Sequence, residues 1–169
     1  MKIQVGGLSE GNYEYELTAD PAELGLGEKF SEAVRVHAKV EKTPNQIYLT
    51  ASIGASADFQ CDRCLKGFRL SLSPRYHMYY LYEEREALNL DPMEVQTVPH
   101  GTSVIDITED VRQTVLLSVP LKLLCKEDCK GLCPHCGKDR NIEQCSCGSN
   151  VTDPRWEKLQ GLQREHIRN

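Results

Sequence analysis

The chain has 169 residues, 40% of them hydrophobic and 27% charged, the balance of a soluble globular protein with room for one domain and a small appendage. No apolar run approaches the roughly 20 residues a membrane-crossing helix needs. The opening MKIQVGGLSEG lacks the charged-then-apolar pattern of an export signal, so a reducing cytoplasm is the expected location. The formal charge of -5 argues against a broad basic face. Residues 1–119 hold 11 Lys or Arg against 18 Asp or Glu, and residues 120–169 hold 9 against 7, so any contact with nucleic-acid phosphates is local.

In chain order, Tyr13, Tyr15 and Leu17 alternate with Glu14 and Glu16 and predict a first strand. Asp20-Pro21 reads as a cap and first residue of a short helical turn reaching Leu24. A hairpin follows: Val34, Val36, Ala38 and Val40 alternate with polar residues, Thr43 to Gln46 turns, and Ile47, Leu49, Ala51 and Ile53 resume the alternation. His37 falls on the polar face as a solvated residue. Phe68, Leu70 and Leu72 predict another strand, Pro74 a break, and Tyr76, Met78, Tyr80 and Tyr82 a half-buried sheet face in preference to a base-stacking one. Residues 83–102 are acidic and Pro-containing and read as mobile for part of their length, with His100 alone among them. Asp106 and Glu109 resemble a capping box, and Ile107, Val111, Val115 and Val119 form one apolar stripe on a helix over about 107–119 that Pro120 ends. Asp153-Pro154 starts a last helix carrying Trp156, Leu159 and Leu162.

The chemistry lies in eight cysteines. A CxxC turn followed by glycine points two sulfurs at one place, as a tetrahedral Zn²⁺ requires. Cys133, Cys136, Cys145 and Cys147, with Gly137 and Gly148 as turn glycines, fit one closed site. Cys61 and Cys64, the CDRC knuckle at a turn between strands, remain with Cys125 and Cys129. Four-coordination proposes a second site that ties the middle of the chain to its C-terminal region. Two zinc ions are therefore expected. His135, inside CPHC, is assigned to the surface.

Disulfides conflict with the expected compartment, and the strand after CDRC conflicts with a thioredoxin-like motif, which opens a helix. Cys129, Cys133 and Cys136 also spell CxxxCxxC, so an iron–sulfur or thiol redox protein is the alternative reading. No phosphate-cradling glycine loop, HExxH, GxSxG or nucleophile–base pair is present, so the chain reads as a binding protein and not an enzyme, with no small-molecule substrate and no membrane partner.

CDRC, then SVPLKLLCKEDCKGLCPHCGKDRNIEQCSC, then DPRWEKLQGL is similar to the YceD family, the large ribosomal RNA subunit accumulation proteins. The resemblance implies a non-enzymatic bacterial or organellar factor for 23S ribosomal RNA accumulation, working with that RNA, its precursor or a large-subunit ribosomal protein. The expected fold is α+β: a mainly antiparallel sheet or partly open barrel with a few helices and a C-terminal zinc-ribbon-like region. Residues 1–124 form the β-rich domain and residues 125–169 the cysteine-rich region with its helix. Arg63, Lys66 and Arg69 near the first knuckle, and Lys130, Lys138 and Arg140 near the second, are the candidate partner contacts.

Overall fold

The computed structural model describes residues 1–83 and 90–147. It divides into two compact units, one of Met1–Asp62 with Lys66–Glu127, the other of Arg63–Leu65 with Asp128 onward. The expected last helix and Gly148 lie outside the described residues.

The first unit is built on a long hairpin. Strand β4 (Gln46–Gln60) has seven alternating buried side chains, Ile47, Leu49, Ala51, Ile53, Ala55, Ala57 and Phe59. That period of two is what a sheet with one covered face requires. Strands β5 (Gly67–Leu72) and β6 (Arg75–Leu81) lie antiparallel to it in one continuous register, from Gln60↔Gly67 through Ala55↔Leu72 to Ser52↔Arg75 and Gln46↔Leu81. Pro74 interrupts the line because it has no N–H to donate. Its carbonyl still accepts from Ile53 N–H at 2.9 Å. The tip of this hairpin is the CDRC sequence.

On its other edge β4 pairs with β3 (Val34–Lys42), which pairs in turn with β2 (Gly11–Ala19), both antiparallel. A short β7 (Val95–Thr97) adds to β6 in parallel. The sheet is therefore open and mixed, not a barrel. A separate pair joins β1 (Lys2–Gln4) to β8 (Val104–Asp106). Among the described residues there is one α-helix, α1 (Thr108–Leu117), where several helices were expected. Its Val111 and Val115, with Ile107 just before it, are fully buried in the core formed by Val34, Val36, Ala38, Val40 and the inner residues of β4.

Pro21 to Gly25 forms the expected short turn, with the Asp20 carboxylate accepting from Ala22 N–H at 2.8 Å. Other local expectations change. The Asp106 carboxylate does accept from Thr108 N–H at 3.0 Å, but Glu109 binds Arg112 and Gln113, so no reciprocal capping box forms. The helix stops at Leu117 before it reaches Pro120, and the Ser118 hydroxyl donates back to Val115 O at 2.7 Å. The segment expected to be mobile for part of its length contains a 3-10 turn at Pro92–Glu94, capped by Asp91, and strand β7. His100 is not alone: its ring stacks on Tyr82 at 4.7 Å.

The hydroxyls of Tyr76 and Tyr80 are buried with no hydrogen-bond partner among the described residues. Burial raises both phenol pKa values above the ordinary tyrosine value, and for Tyr80 the nearby Asp110 and Asp106 add to it. The fold thus favours the neutral phenols. Their contribution is intact below the unfolded pKa of about 10 and is lost as pH rises towards the folded values. Urea unfolding from pH 8 to 11.5 should give a free energy that falls above about pH 10, with two tyrosines ionising only on unfolding. A flat profile with all tyrosines titrating near 10 in the folded state would contradict this.

Candidate metal centre

Two groups of four cysteines are expected from the sequence to hold a metal ion, Cys133, Cys136, Cys145 and Cys147, and Cys61, Cys64, Cys125 and Cys129; the sulfurs of Cys133, Cys136, Cys145 and Cys147 lie close enough together to do so. The first of these lies wholly within the second unit. There, Cys133 N–H donates to Lys138 O at 2.8 Å and Gly137 N–H to Cys133 O at 2.9 Å, which closes a tight turn. Gly137 has φ 72°, a conformation that favours a residue without Cβ. A bridge between Leu132 and Asp139 closes its base. The turn aims the backbone N–H groups of Cys136 and His135 at the Cys133 sulfur, while Cys147 N–H points to the Cys145 sulfur.

All four sulfurs lie within 4.8 Å of one another. Sulfurs about 2.3 Å from a central tetrahedral ion stand about 3.8 Å apart, so small torsions suffice to seat one. The donor set also fits: four sulfurs satisfy an ion such as zinc and leave no coordination position for a substrate. Ionisation is shared unequally. The amides of Cys136 and His135 hold the Cys133 thiol down to about 6. Its hydrogen bond with Cys136 pushes Cys147 up to about 12, and the bond with Cys133 raises Cys145. Negative charge on one sulfur opposes charge on the next; a divalent cation is what lets all four ionise together. His135 is exposed.

For the other group, each unit shows its own supports. In the first unit Cys61 is fully buried at the end of β4, and its N–H donates to Lys66 O at 2.9 Å. Asp62 N–H donates to Leu123 O at 2.8 Å, and the Asp62 carboxylate accepts from Leu123 N–H at 2.7 Å. This two-way clasp fixes the chain two residues before Cys125. In the second unit Arg63 donates to Cys129 O at 2.7 Å, and Leu132 N–H donates to Arg63 O at 2.9 Å. The Asn141 amide donates to the Cys129 sulfur at 3.5 Å and to the Asp139 carboxylate at 2.7 Å.

Asp62, Asn141 and Gly131 were not singled out in the sequence. An Asp or Asn two residues from a turn partner was the available signal. Gly131 has φ 70°, and a Cβ there would stand 2.9 Å from Arg63 O.

The six basic candidates are not equivalent. Arg69 makes a two-pronged pair with Asp58, at 2.9 and 3.0 Å, and reaches Glu32 at 2.6 Å. Lys138 pairs with Glu143 at 3.0 Å. Arg63 is engaged with Cys129 O. Lys66 is exposed beside the first knuckle. Lys130 and Arg140 line an open hollow together with Cys133, Cys145 and Cys147.

A family model described as "Large ribosomal RNA subunit accumulation protein YceD" matches residues 49–163, from β4 through both cysteine groups. The chain belongs to the YceD family. Among curated relatives, an uncharacterized protein of Mycobacterium tuberculosis is 29% identical over 122 residues, 72% of this chain and 58% of the relative. YlbN of Bacillus subtilis, also uncharacterized, is 26% identical over 133 residues, 78% of this chain and 75% of that protein. A chloroplastic YCED homolog 1 of Arabidopsis thaliana, named a large ribosomal RNA subunit accumulation protein, is 33% identical over 76 residues, 42% of this chain and 24% of the relative. The chain thus spans 58% of the length of the mycobacterial relatives. No solved structure matches. The YceD description names RNA accumulation, not a catalysed reaction. Among the described residues no helix is long and apolar enough to cross a membrane.

Cys145→Ser should cost the chain one bound metal ion as read by native mass spectrometry. Gly131→Ala, which meets both the positive φ and the Arg63 carbonyl, should lower stability by more than about 1 kcal/mol and weaken metal retention. Parent-like melting and metal content for both variants would contradict this account.

Proposed function

We propose that the chain is a non-enzymatic factor for accumulation of 23S ribosomal RNA and assembly of the large ribosomal subunit. It acts in the cytoplasm by binding that RNA, its precursor or a large-subunit ribosomal protein through a zinc-braced surface. The match of residues 49–163 to the YceD family carries this reading. Two zinc ions are its structural cofactors, one held by Cys61, Cys64, Cys125 and Cys129, the other by Cys133, Cys136, Cys145 and Cys147. All-sulfur sets support closed sites that brace a surface without taking part in a reaction.

Among the basic candidates, Lys66, Lys130 and Arg140 are the contacts for phosphate. Arg69 and Lys138 already spend their charge on neighbouring carboxylates. Arg63 serves the chain around Cys129.

Depleting the protein from its cells should lower the ratio of large- to small-subunit ribosomal RNA. The parent gene should restore that ratio, and a Cys133→Ser, Cys136→Ser double variant should not. An unchanged ratio on depletion would overturn the reading.

A further inference from the structure

We infer that the solvent face of the open sheet in the first unit is a stacking platform for single-stranded RNA, a surface distinct from the cysteine turns. This rests on the ribosomal-RNA reading above and adds to the phosphate contacts named there a second surface that holds the bases of that RNA.

The strand registers build the platform. Alternation turns Tyr76, Met78 and Tyr80 of β6 towards the core, so Arg75, His77 and Tyr79 face the other way. On β4 the residues opposite these three are Ser52, Thr50 and Tyr48. Tyr48 and Tyr79 consequently sit side by side with ring centres 4.6 Å apart and planes tilted by 31°, and His77 lies 6.1 Å from Tyr48 and 6.2 Å from Tyr79. Further along the same face Arg35 of β3 stands opposite Gly54 of β4. Gly54 has no side chain, which leaves a hollow of about 400 Å³ flanked by Arg35, His37, Ser52 and Arg75. From Tyr48 to Gly54 the track runs about 20 Å, six residues at about 3.4 Å each.

Charge selects the occupant. Lys39 is paired with Glu14 at 2.9 Å, His37 lies 3.5 Å from Glu16 and 4.0 Å from Glu14, and His77 pairs with Glu94 at 2.9 Å. Glu41 stands across from Tyr48. Arg35 and Arg75 are exposed and in no ion pair among the described residues. Two uncommitted guanidinium groups beside a Ser- and Gly-lined hollow suit phosphate, and the aromatic group offers flat faces to bases. A duplex has no splayed bases to offer those rings, so the fit is to a single strand. The acidic residues at the edge of the face limit it to a short contact, in keeping with the chain's overall charge.

The test uses the full chain loaded with zinc and a fluorescein-labelled, unstructured oligoribonucleotide of a dozen nucleotides, read by anisotropy at several salt concentrations. The parent should bind this probe and a large-subunit RNA fragment. Tyr79→Ala should weaken the probe tenfold or more, while Tyr79→Phe, which keeps the ring, binds as the parent does. Arg75→Gln should weaken binding and make the salt slope shallower by about one. A circular dichroism melt of each variant checks that the sheet persists. If the parent binds both RNAs and Tyr79→Ala and Arg75→Gln match it, the platform is wrong and the ribosomal-RNA reading stands. If binding is lost only with Lys130→Glu and Arg140→Glu, the cysteine turns are the RNA surface and the platform is again wrong. If the parent binds neither RNA and instead a purified large-subunit ribosomal protein, direct RNA binding itself falls.

Discussion

Mutual repulsion among closely spaced sulfurs governs the cysteine-rich part of this protein. Four thiols within 4.8 Å of one another cannot all carry negative charge unless a cation sits among them. The backbone prepares for that charge unevenly. Two amides point at Cys133 and one at Cys145, while Cys136 and Cys147 share a proton-bearing contact. Such a site has a donor for every position of a tetrahedral ion and nothing left for a substrate. This is the chemical reason to read the metal as a brace. It agrees with a family description that names accumulation of an RNA and no reaction.

The sheet follows a different logic. One strand of fifteen residues, β4, is the common partner of β3, β5 and β6. Every second side chain on it is buried, so the opposite side of the sheet is free to carry function without disturbing the core. On that free side the register decides which residues meet. Tyr48 meets Tyr79 because the two are direct partners in one continuous register, and a one-residue slip of β6 would turn Tyr79 inward. The aromatic pair and the two arginines, which have no ion pair among the described residues, are therefore consequences of the same register that builds the core.

Much of this was legible from the residues. Alternation in Val34–Val40 and Ile47–Ile53 locates two strands and their inner faces, because burying one side of a sheet forces a period of two. The Ile107, Val111 and Val115 stripe locates the helix for the corresponding reason. Cysteine spacing marks the sulfur ligands available to a metal. What could not be read depends on contacts between distant segments. The β1–β8 pair joins residues about a hundred positions apart, and its strands are three residues each, too short to show a period. The parallel β7 follows a segment whose charge reads as loop. Asn141 and Asp62 look like ordinary turn residues until their partners, the Cys129 sulfur and Leu123, are placed beside them. The capping box at Asp106 failed because Arg112 and Gln113 offer Glu109 better partners than the helix start does.

X-ray absorption at the metal edge of the purified full chain addresses the cysteine sites without interference from the rest of the fold. The account predicts zinc with four sulfur neighbours at roughly 2.3 Å and no second metal in the next shell. A first shell of nitrogen or oxygen would contradict it, and iron with neighbouring iron atoms would contradict it in favour of the iron–sulfur reading.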